Sequence, residues 1–510
     1  MRLGVDFGTT HTVAALVDRG NYPVVSFEWG DSVPSLLAVR RRDGAVRYGR
    51  EALELAGDPD FELVRSLKRL VQTAGPNSEM HVAGHGFRVA DLLVGYLSQI
   101  RADILDSSNA DISPDEPLQV AVSVPANASN DQRFLTLDGF RRAGFEVEML
   151  LNEPSAAGFE YGHRFRRTVT SRREYVLVYD LGGGTFDASL IYMAGLNNEV
   201  VASAGIPRLG GDDFDEAILQ VMLDKAKVRQ SDLEPSLRRT LVESCRQQKE
   251  ALSPQSRRIV LDLTVLGRPP AVVPMAEIND ACRPLVDQTL AVVDDALRDP
   301  RRGSDNVQVE VKELAGLYVV GGGSSFPLVA RQVRDRFPPQ RVKRSPYPFA
   351  ATAIGLACYM DEDSGYLLSD CLARHFGVWR EAREGQEVSF DPIFARDTPL
   401  PGRDQPPLCA VRRYRPVHNV GHFRFVECGA LASGRPDGGV LPWEGISFPY
   451  DPALRGLESL GEVPVRRLDG EAPEVEERYS CSTHGIFEVT LTCLHDGYSR
   501  AYRIARPTHR

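Results

Sequence analysis

The sequence predicts an α/β fold for residues 1–360 and an all-β region after them. In the first part, short β-forming runs end in turns or glycine clusters and alternate with helical patterns, which is typical of α/β proteins that bind ligands where strands end. After Met360, prolines, glycines and short alternating segments dominate, as in all-β domains. An Asp-x-Gly turn follows two of the early strands and indicates an internal duplication, one copy in each of two lobes.

The elements follow from local patterns. Strands are predicted at residues 3–5, 120–124, 175–179 and 317–320, and helices at 213–227 and 236–252. Pro235 and Pro254 mark the start and stop of the second helix. In the later region, residues 423–426 and 487–492 alternate as half-buried strands do, and residues 435–477, rich in Gly, Pro and Glu, predict a long loop or insertion.

Composition excludes several classes of protein. A net charge of −10, with arginines scattered along the chain, argues against nucleic acid as the main partner. The eight cysteines form no CxxC pattern, so free thiols are expected rather than disulfides or a zinc site. Asp6 interrupts the first apolar stretch before a signal peptide could form, and no run is long enough to span a membrane. We therefore expect a cytoplasmic protein without a membrane partner.

The two Asp-x-Gly turns carry residue types suited to a nucleoside triphosphate. Glycines let backbone N–H groups approach phosphates, threonine hydroxyls add hydrogen bonds, and carboxylates hold hydrated Mg²⁺. A single such turn is usually structural, but two after apolar strands, with a third glycine cluster, are more specific. Neither a Walker A motif nor an early GxGxxG is present. The residues concerned are Asp6, Gly8, Thr9 and Thr10, then Asp180, Gly182, Gly183, Gly184, Thr185 and Asp187, then Gly321, Gly322 and Gly323.

Further motifs, in order, give the chain a resemblance to the Hsp70 (DnaK-type) chaperones, within the actin, hexokinase and Hsp70 ATPase superfamily. They are the first phosphate loop at 5–10, the lysine segment at 66–70, Val-Pro-Ala at 124–126 with Asp-Gln-Arg at 131–133, Leu-Asn-Glu-Pro at 151–154, the second phosphate loop at 180–187 and Leu-Gly-Gly-Asp at 209–212. The resemblance implies a two-lobed actin-like (ribonuclease H-like) ATPase domain at 1–360, a linker at 361–370 and a β-sandwich substrate-binding domain at 371–510.

The resemblance also assigns roles to residues. It implies catalysis by Lys68, Glu153, Asp180, Asp187 and Thr185, metal binding by Asp6, Asp180 and Asp187, and nucleotide binding by the loop residues above with Gly210, Gly211, Lys249 and Ser253. It implies coupling between domains through Pro125, Arg133, Leu367, Leu368 and Asp370. The implied activity is Mg²⁺-dependent hydrolysis of ATP to ADP and phosphate, with K⁺ as a monovalent cation, controlling the binding of a polypeptide client.

The adenosine pocket departs from the family pattern. Arg246 and Glu250 have changed charge sign, while Lys249 and Ser253 match, and Ser325 replaces an arginine that lies against adenine in the family. Loss of a stacked guanidinium predicts weaker ATP binding or looser choice of base. An alternative is that Arg246 and Glu250 simply pair at i,i+4 on the helix surface.

Departures also affect the expected partners. Met149 replaces an arginine that contacts J-domain co-chaperones in the family, which makes a J-domain partner doubtful, whereas a nucleotide-exchange factor is expected from the family. The sequence ends at Arg510 without the family's helical lid, which predicts fast peptide exchange. Residues 396–401 and 485–489 match strand-turn segments of the family's β-sandwich, and 501–504 its closing strand. Two alternatives stay open: a nucleotide-gated adaptor holding one dedicated protein partner, and a sugar kinase or filament-forming ATPase.

Overall fold

The computed structural model describes residues 1–113, 116–298, 308–382, 387–402, 405–443, 445–457, 459–468 and 472–503. Its first region, up to Ser369, is mixed α/β. The helices are α1 (Gly49–Glu54), α2 (Leu67–Thr73), α3 (Val89–Asp106), α4 (Asn130–Arg142), α5 (Glu153–Phe165), α6 (Gly211–Ala226), α7 (Pro235–Glu250), α8 (Met275–Ala296), α9 (Pro327–Arg336) and α10 (Ala351–Met360).

The strands of this first region are β1 (Arg2–Phe7), β2 (His11–Leu16), β3 (Val33–Pro34), β4 (Leu36–Arg40), β5 (Val46–Tyr48), β6 (Phe61–Arg65), β7 (Glu79–Val82), β8 (His85–Arg88), β9 (Gln119–Val124), β10 (Glu146–Asn152), β11 (Tyr175–Leu181), β12 (Phe186–Ala194), β13 (Asn197–Ile206), β14 (Arg258–Leu261), β15 (Ala271–Pro274), β16 (Leu314–Val320), β17 (Val342–Arg344) and β18 (Leu367–Ser369).

Two sheets of this region share one plan. The first has the order β10-β9-β1-β2-β3, and the second has the order β17-β16-β11-β12-β13-β18. In each, the strand before an Asp-x-Gly turn pairs antiparallel with the strand after it, and parallel with a later strand on its other side. β11 is buried along most of its length, and the same environment on both faces explains why its sequence is a continuous apolar run. The structure thus shows the duplication that the two turns predict.

Helices α5 and α10 lie between the two sheets. One face of this helix pair packs with Val13, Ala121 and Leu151 of the first sheet, and the other packs with Val176 and Val178 of the second. The helices cross so closely that a Cβ at Gly355 would lie 1.7 Å from the backbone oxygen of Ala156. This close approach holds the two sheets, and hence their turns, at a fixed separation.

The second region consists of strands. They are β19 (His375–Ala382), β20 (Glu387–Phe394), β21 (Leu408–Tyr414), β22 (Val420–Cys428), β23 (Ala430–Ala432), β24 (Arg435–Asp437), β25 (Leu441–Pro442), β26 (Ile446–Pro449), β27 (Val475–Cys481), β28 (Phe487–Cys493) and β29 (Ser499–Arg503). One sheet is ordered β20-β19-β22-β25, with β26 also paired to β22, and the other is ordered β21-β27-β28-β29. Both contribute to one core, in which the Phe376 and Phe487 rings stack with centroids 4.5 Å apart.

Most predicted elements are present. The strands expected at 3–5, 120–124, 175–179 and 317–320 are β1, β9, β11 and β16, and the two helices are α6 and α7. The insertion expected at 435–477 begins with three short strands, β24 to β26, and is irregular mainly after Tyr450. The segment at 396–401 forms a turn, and the predicted closing strand is β29, although Ile504 lies outside the described residues.

All eight cysteines are free thiols, as the composition predicts, and seven of the eight are buried or half-buried, Cys409 being exposed. No helix among the described residues is long and apolar enough to cross a membrane.

The segment between the regions pairs with the first of them. The backbone of β18 adds as a parallel strand to β13, with Leu367 opposite Asn197 and Ser369 opposite Glu199. The side chains of Leu367 and Leu368, predicted to couple the regions, lie outside what the structure describes. Asp370, which follows them, is buried.

Candidate functional site

The two Asp-x-Gly turns face each other across the cleft between the sheets. A Cβ at Gly183 would lie 2.3 Å from Thr10 Cγ2, and one at Gly184 would lie 2.6 Å from Thr9 Cγ2. The turn before α6 packs on the same loop, since a Cβ at Gly210 would lie 2.5 Å from the Gly184 backbone nitrogen. Glycine at these positions is therefore required by close packing of one loop on another.

A cavity of about 460 Å³ opens between these turns, a size within the range of small-molecule sites. Three separate stretches of glycine-rich backbone and several charged side chains form its wall. The lining residues predicted from sequence are Asp6, Gly8, Thr9, Thr10, Lys68, Glu153, Asp180, Gly182, Gly183, Thr185, Gly211, Arg246, Lys249, Glu250, Gly321, Gly322, Gly323 and Ser325.

Lys68 and Glu153 form a buried pair in this cavity. Lys68 stands in the first turn of α2 and Glu153 begins α5, and the Lys68 Nζ donates a hydrogen bond to Glu153 Oε1. Burial by itself would lower the pKa of Lys68, but the negative charges of Glu153, Asp6 and Asp180 outweigh it and raise that pKa. Lys68 therefore carries a positive charge at neutral pH, inside a site with little water to screen it.

The acids around Lys68 outnumber it. Burial, followed by the charges of Glu153 and Asp187, raises the pKa of Asp180 well above its usual range. Burial and the Glu153 charge raise the pKa of Asp187 to about 8, against the opposing charge of Lys68. Ser123 Oγ donates to Asp6 Oδ1 at 2.7 Å and fixes the orientation of that carboxylate. The cluster thus holds more carboxyl groups than its one lysine can balance as carboxylates, and with a pKa of about 8 Asp187 is mostly protonated at neutral pH.

This donor set fits Mg²⁺. A divalent cation would offset the surplus of carboxylate charge, and Mg²⁺ prefers oxygen ligands. Within the described parts of the chain, no three His, Cys, Asp or Glu side chains come close enough to hold one metal ion directly. Mg²⁺ commonly keeps several of its waters and takes one or two carboxylates together with substrate phosphates, so water-mediated contacts to Asp6 and Asp180 suit it.

The opposite end of the cavity has a different electrostatic arrangement. Arg246 on α7 donates to Asp212 at 2.9 Å and to Asp215 at 3.3 Å, and Lys249 lies 2.8 Å from Asp215. Burial raises the pKa of Asp215 to about 6, while Lys249 and Arg246 act against that rise. Lys249 also donates to the backbone oxygen of Gly211 at 2.6 Å. Arg246 therefore pairs with acids of α6, not with Glu250 as the surface-pair alternative supposed.

At two positions assigned to the adenosine pocket, Ser253 and Ser325, the surroundings differ from those that the sequence predicts. Ser253 lies beyond the end of α7 in an exposed turn, with its Oγ 3.3 Å from Ser256 Oγ, and it is outside the residues that line the cavity. Ser325 does line the cavity, and Arg344 from β17 donates to its Oγ at 2.8 Å. A guanidinium thus stands beside the position where the sequence lacks one.

Three predicted residues lie just behind the cavity wall. Gly184 and Gly210 pack against each other beneath the Asp-x-Gly turns. Asp187 lines a neighbouring cavity of about 1090 Å³ between the two regions, and Thr185 lines both cavities. Pro125 also lines this second cavity, which brings a predicted coupling residue near a predicted catalytic one.

The other predicted coupling residues meet in one buried network. Arg133 on α4 donates to Asn152 Oδ1 and, at 3.2 Å, to the backbone oxygen of His484 in the second region. Asn152 Nδ2 donates to Asp370 at 2.7 Å. Burial lowers the pKa of Arg133 and raises that of Asp370, and each charge opposes the other's shift. Since Asn152 directly precedes Glu153, this network adjoins the lysine–glutamate pair.

Several contributing residues were missed at the sequence level. Arg69 on α2 donates to the Gly184 backbone oxygen at 2.9 Å and so joins the two halves of the site. Asn130 receives Phe487 N–H at 2.8 Å on its Oδ1, and its own N–H donates to Glu427 at 3.3 Å. Asn152 lies inside the Leu-Asn-Glu-Pro motif and Arg69 inside the lysine segment at 66–70, and these motifs were the available signals; no local pattern marks Asn130.

Comparisons with known proteins show the family of this chain. The family model described as Hsp70 protein matches residues 2–370. The chain belongs to the Hsp70 family. It is 32% identical to the chaperone protein HscA of Edwardsiella ictaluri (strain 93-146), over 78% of this chain and 64% of that protein. It is 34% identical to a chaperone protein HscA homolog of Bordetella petrii, over 66% of this chain and 54% of that protein. The match thus spans between about half and two thirds of these relatives' length.

Proposed function

We propose that this Hsp70-family chain binds ATP with Mg²⁺ in the 460 Å³ cavity and hydrolyses it to ADP and phosphate. The convergence of both Asp-x-Gly turns and the Lys68–Glu153 pair on one cavity carries the proposal. Family membership supports it, as do the relatives' names as chaperones.

The same reasoning extends to the architecture. Two sheets of one plan, separated by α5 and α10, support two actin-like lobes in an ATPase domain of residues 1–360. Two sheets that share one aromatic core support a β-sandwich substrate-binding domain at 371–510, joined through a linker at 361–370.

Each side chain has a role in this proposal. Bound Mg²⁺ would neutralise charge on the phosphate oxygens, held through Asp6, Asp180 and Asp187, and K⁺ would serve as an accompanying monovalent cation. Lys68 offsets negative charge on the terminal phosphate, and Glu153 orients Lys68 and accepts a hydrogen bond from the attacking water. Thr9, Thr10 and Thr185, with the backbone N–H groups of the glycine turns, hold the phosphates. Gly211 and Lys249 bind the ribose side.

We further propose that nucleotide state controls how the two regions dock and how a polypeptide client binds. The Arg133–Asn152–Asp370 network and the β13–β18 pairing supply contacts that one state can have and another can lose. The client site is proposed at a cavity of about 710 Å³ in the second region, lined by Trp379, Val388 and Val417 among others. Val388 and Val417 are exposed, as expected of a surface that binds apolar segments.

From family membership we also propose a nucleotide-exchange factor as a partner and the cytoplasm as the location of the protein. Met149, on which doubt about a J-domain protein was based, packs in the core with Phe159 and Leu356, so its side chain presents no surface that would exclude such a partner. The adaptor alternative is not favoured, because the relatives are chaperones.

The test is Mg²⁺-dependent ATP turnover of the purified chain, with and without an extended apolar peptide. Turnover should require Mg²⁺ and rise severalfold with peptide. Asp370→Ala should lose the stimulation by peptide while retaining turnover without it, whereas Asp363→Ala, at an exposed position of the same linker, should behave as wild type. Absence of Mg²⁺-dependent turnover in the wild type would refute the ATPase proposal.

A further inference from the structure

Phe349 presents an aromatic ring to the nucleotide cavity. It lies in the turn between β17 and α10 and lines the cavity together with Pro348. Phe349 is 41% exposed as a residue, whereas Phe326, which lines the same cavity, is 4% exposed. When a ligand covers a large apolar side chain that is exposed in a cavity, apolar surface is removed from water, and this favours binding.

The surroundings of Phe349 differ from the phosphate end of the cavity. Leu252, Phe326 and Pro348 are the other large apolar residues that line the cavity, while the glycine turns and the acids around Lys68 supply its polar lining. A nucleoside triphosphate has the same asymmetry, since its base is flat and largely apolar and its phosphates are charged. The apolar part of the wall therefore suits the base.

Cationic side chains at this end are already engaged. Arg246 and Lys249 pair with Asp212 and Asp215 at 2.8 to 3.3 Å, and Arg344 donates to Ser325 Oγ. Glu250 and Ser325, which also line the wall here, offer no π surface and no positive charge. Gly322 leaves the approach open, because nothing lies within 4 Å of where its Cβ would be.

We propose that the Phe349 ring stacks on the base of the bound nucleotide and supplies much of the affinity for it. The inference rests on the nucleotide binding proposed above and names the residue that recognises the base. Every base has a π face, so stacking of this kind favours nucleotides over bare phosphates without choosing strongly among purines.

The test compares three probes on the full chain with Mg²⁺: ATP, GTP and inorganic tripolyphosphate, titrated by calorimetry. Stacking on an aromatic side chain corresponds to roughly a tenfold to hundredfold change in Kd. Phe349→Ala should therefore weaken ATP and GTP by a similar factor of about ten or more, and leave tripolyphosphate within about twofold. Phe349→Trp should keep nucleotide affinity and report ATP binding by a change in indole fluorescence.

Tyr347→Ala is the matched control. Tyr347 lies two residues from Phe349 and is 47% exposed, but it is outside the residues that line the cavity. The Cζ atom of Arg164 lies 5.9 Å from the centroid of its ring. It should bind all three probes as wild type does.

Each of the following results would overturn the inference. Unchanged ATP affinity in Phe349→Ala would show that the ring does not stack, and an equal loss for tripolyphosphate would show that it only supports the fold of the loop. A loss of ATP affinity in Arg344→Ala, with none in Phe349→Ala, would assign the base contact to the guanidinium instead. If the wild type binds tripolyphosphate but not ATP, the stacking inference is wrong, while the proposed phosphate site is retained. If the wild type binds neither probe, the proposed function is wrong as well.

Discussion

The two ends of the 460 Å³ cavity hold buried charge in opposite ways. Around Lys68, four acids lie near one cation, and burial raises the pKa values of Asp180 and Asp187. Around Asp215, two cations hold one buried acid, and its pKa rises only to about 6. The first end is short of positive charge and suits a cation with phosphates, whereas the second is balanced within the protein.

This difference supports placing the proposed chemistry at the end around Lys68. Buried acids without sufficient counter-charge destabilise the empty protein and become favourable when a cation arrives, which is common at functional sites. At the other end, the paired charges join α6 and α7 and are already engaged with each other. Recognition of the base is therefore proposed for an uncharged side chain of the cavity wall, that of Phe349. Three experiments test the comparison, from the largest expected effect to the smallest.

Lys68→Ala tests the charge-deficient end. Removal of the one cation should lower ATP turnover by about 10²- to 10³-fold, as removal of a group that stabilises transition-state charge does, while ATP still binds. Turnover is measured by phosphate release and binding by calorimetry.

The matched control is Lys225→Ala. Lys225, in the last turn of α6, forms an exposed pair with Glu277 of α8, outside the residues that line the cavity, and its loss should leave turnover within about twofold. Full activity in Lys68→Ala would mean that this lysine has no catalytic role.

Arg246→Met tests the balanced end. Arg246 is 16% exposed and pairs with Asp212 and Asp215, so its loss should lower the free energy of unfolding by about 2 to 4 kcal/mol at pH 7.5. Arg238→Met on the same helix removes an exposed pair with Glu216 and should cost less than about 1 kcal/mol. Both are measured by urea denaturation.

The cost of Arg246→Met should also depend on pH. Asp215 has a folded-state pKa of about 6, above its ordinary value of 3.8, so the folded protein binds a proton that the unfolded chain releases, and Asp215 favours folding less as pH rises through this window. Without Arg246 the folded-state pKa of Asp215 rises further, because one of the two cations that oppose the rise is gone. The fall in the free energy of unfolding then continues to higher pH than in the wild type. The deficit relative to wild type should therefore be larger at pH 7.5 than at pH 5, and a deficit independent of pH would contradict the assigned pairing.

Ser325→Arg tests whether base recognition can be strengthened. A guanidinium at this position would lie beside the proposed base site and should tighten ATP binding by roughly twofold to fivefold, the scale of an exposed cation–π contact. Ser253→Arg adds the same charge in an exposed turn outside the cavity and should leave ATP affinity unchanged. Tighter binding in both variants would indicate only a general effect of charge.

Local patterns predicted much of the fold. Continuous apolar runs such as β11 and alternating ones such as β28 reflect burial on two faces or on one, and both were recognised as strands. The Asp-x-Gly turns and the Lys68 segment were likewise visible because they are short and contiguous in sequence. The boundary of α7, and hence the exposed position of Ser253, was harder to place, because a helix end depends on a few residues.

Contacts between distant segments could not be predicted in the same way. Three such contacts join parts of the chain that no local pattern connects. Arg69 bonds to Gly184, Asn130 bonds to Phe487, and Arg246 pairs with Asp215 rather than with Glu250. The pKa values of Asp180 and Asp187 likewise depend on burial and on charges brought close by folding.

By itself the sequence determined that the first region contains a duplicated strand and Asp-x-Gly turn and that a strand-rich region follows, because periodicity and turn chemistry are local properties. Only the tertiary structure decided which acids share one lysine, which cations are already paired and which aromatic ring faces the cavity. Those outcomes depend on distance and burial, and both are set by the close crossing of α5 and α10 between the sheets.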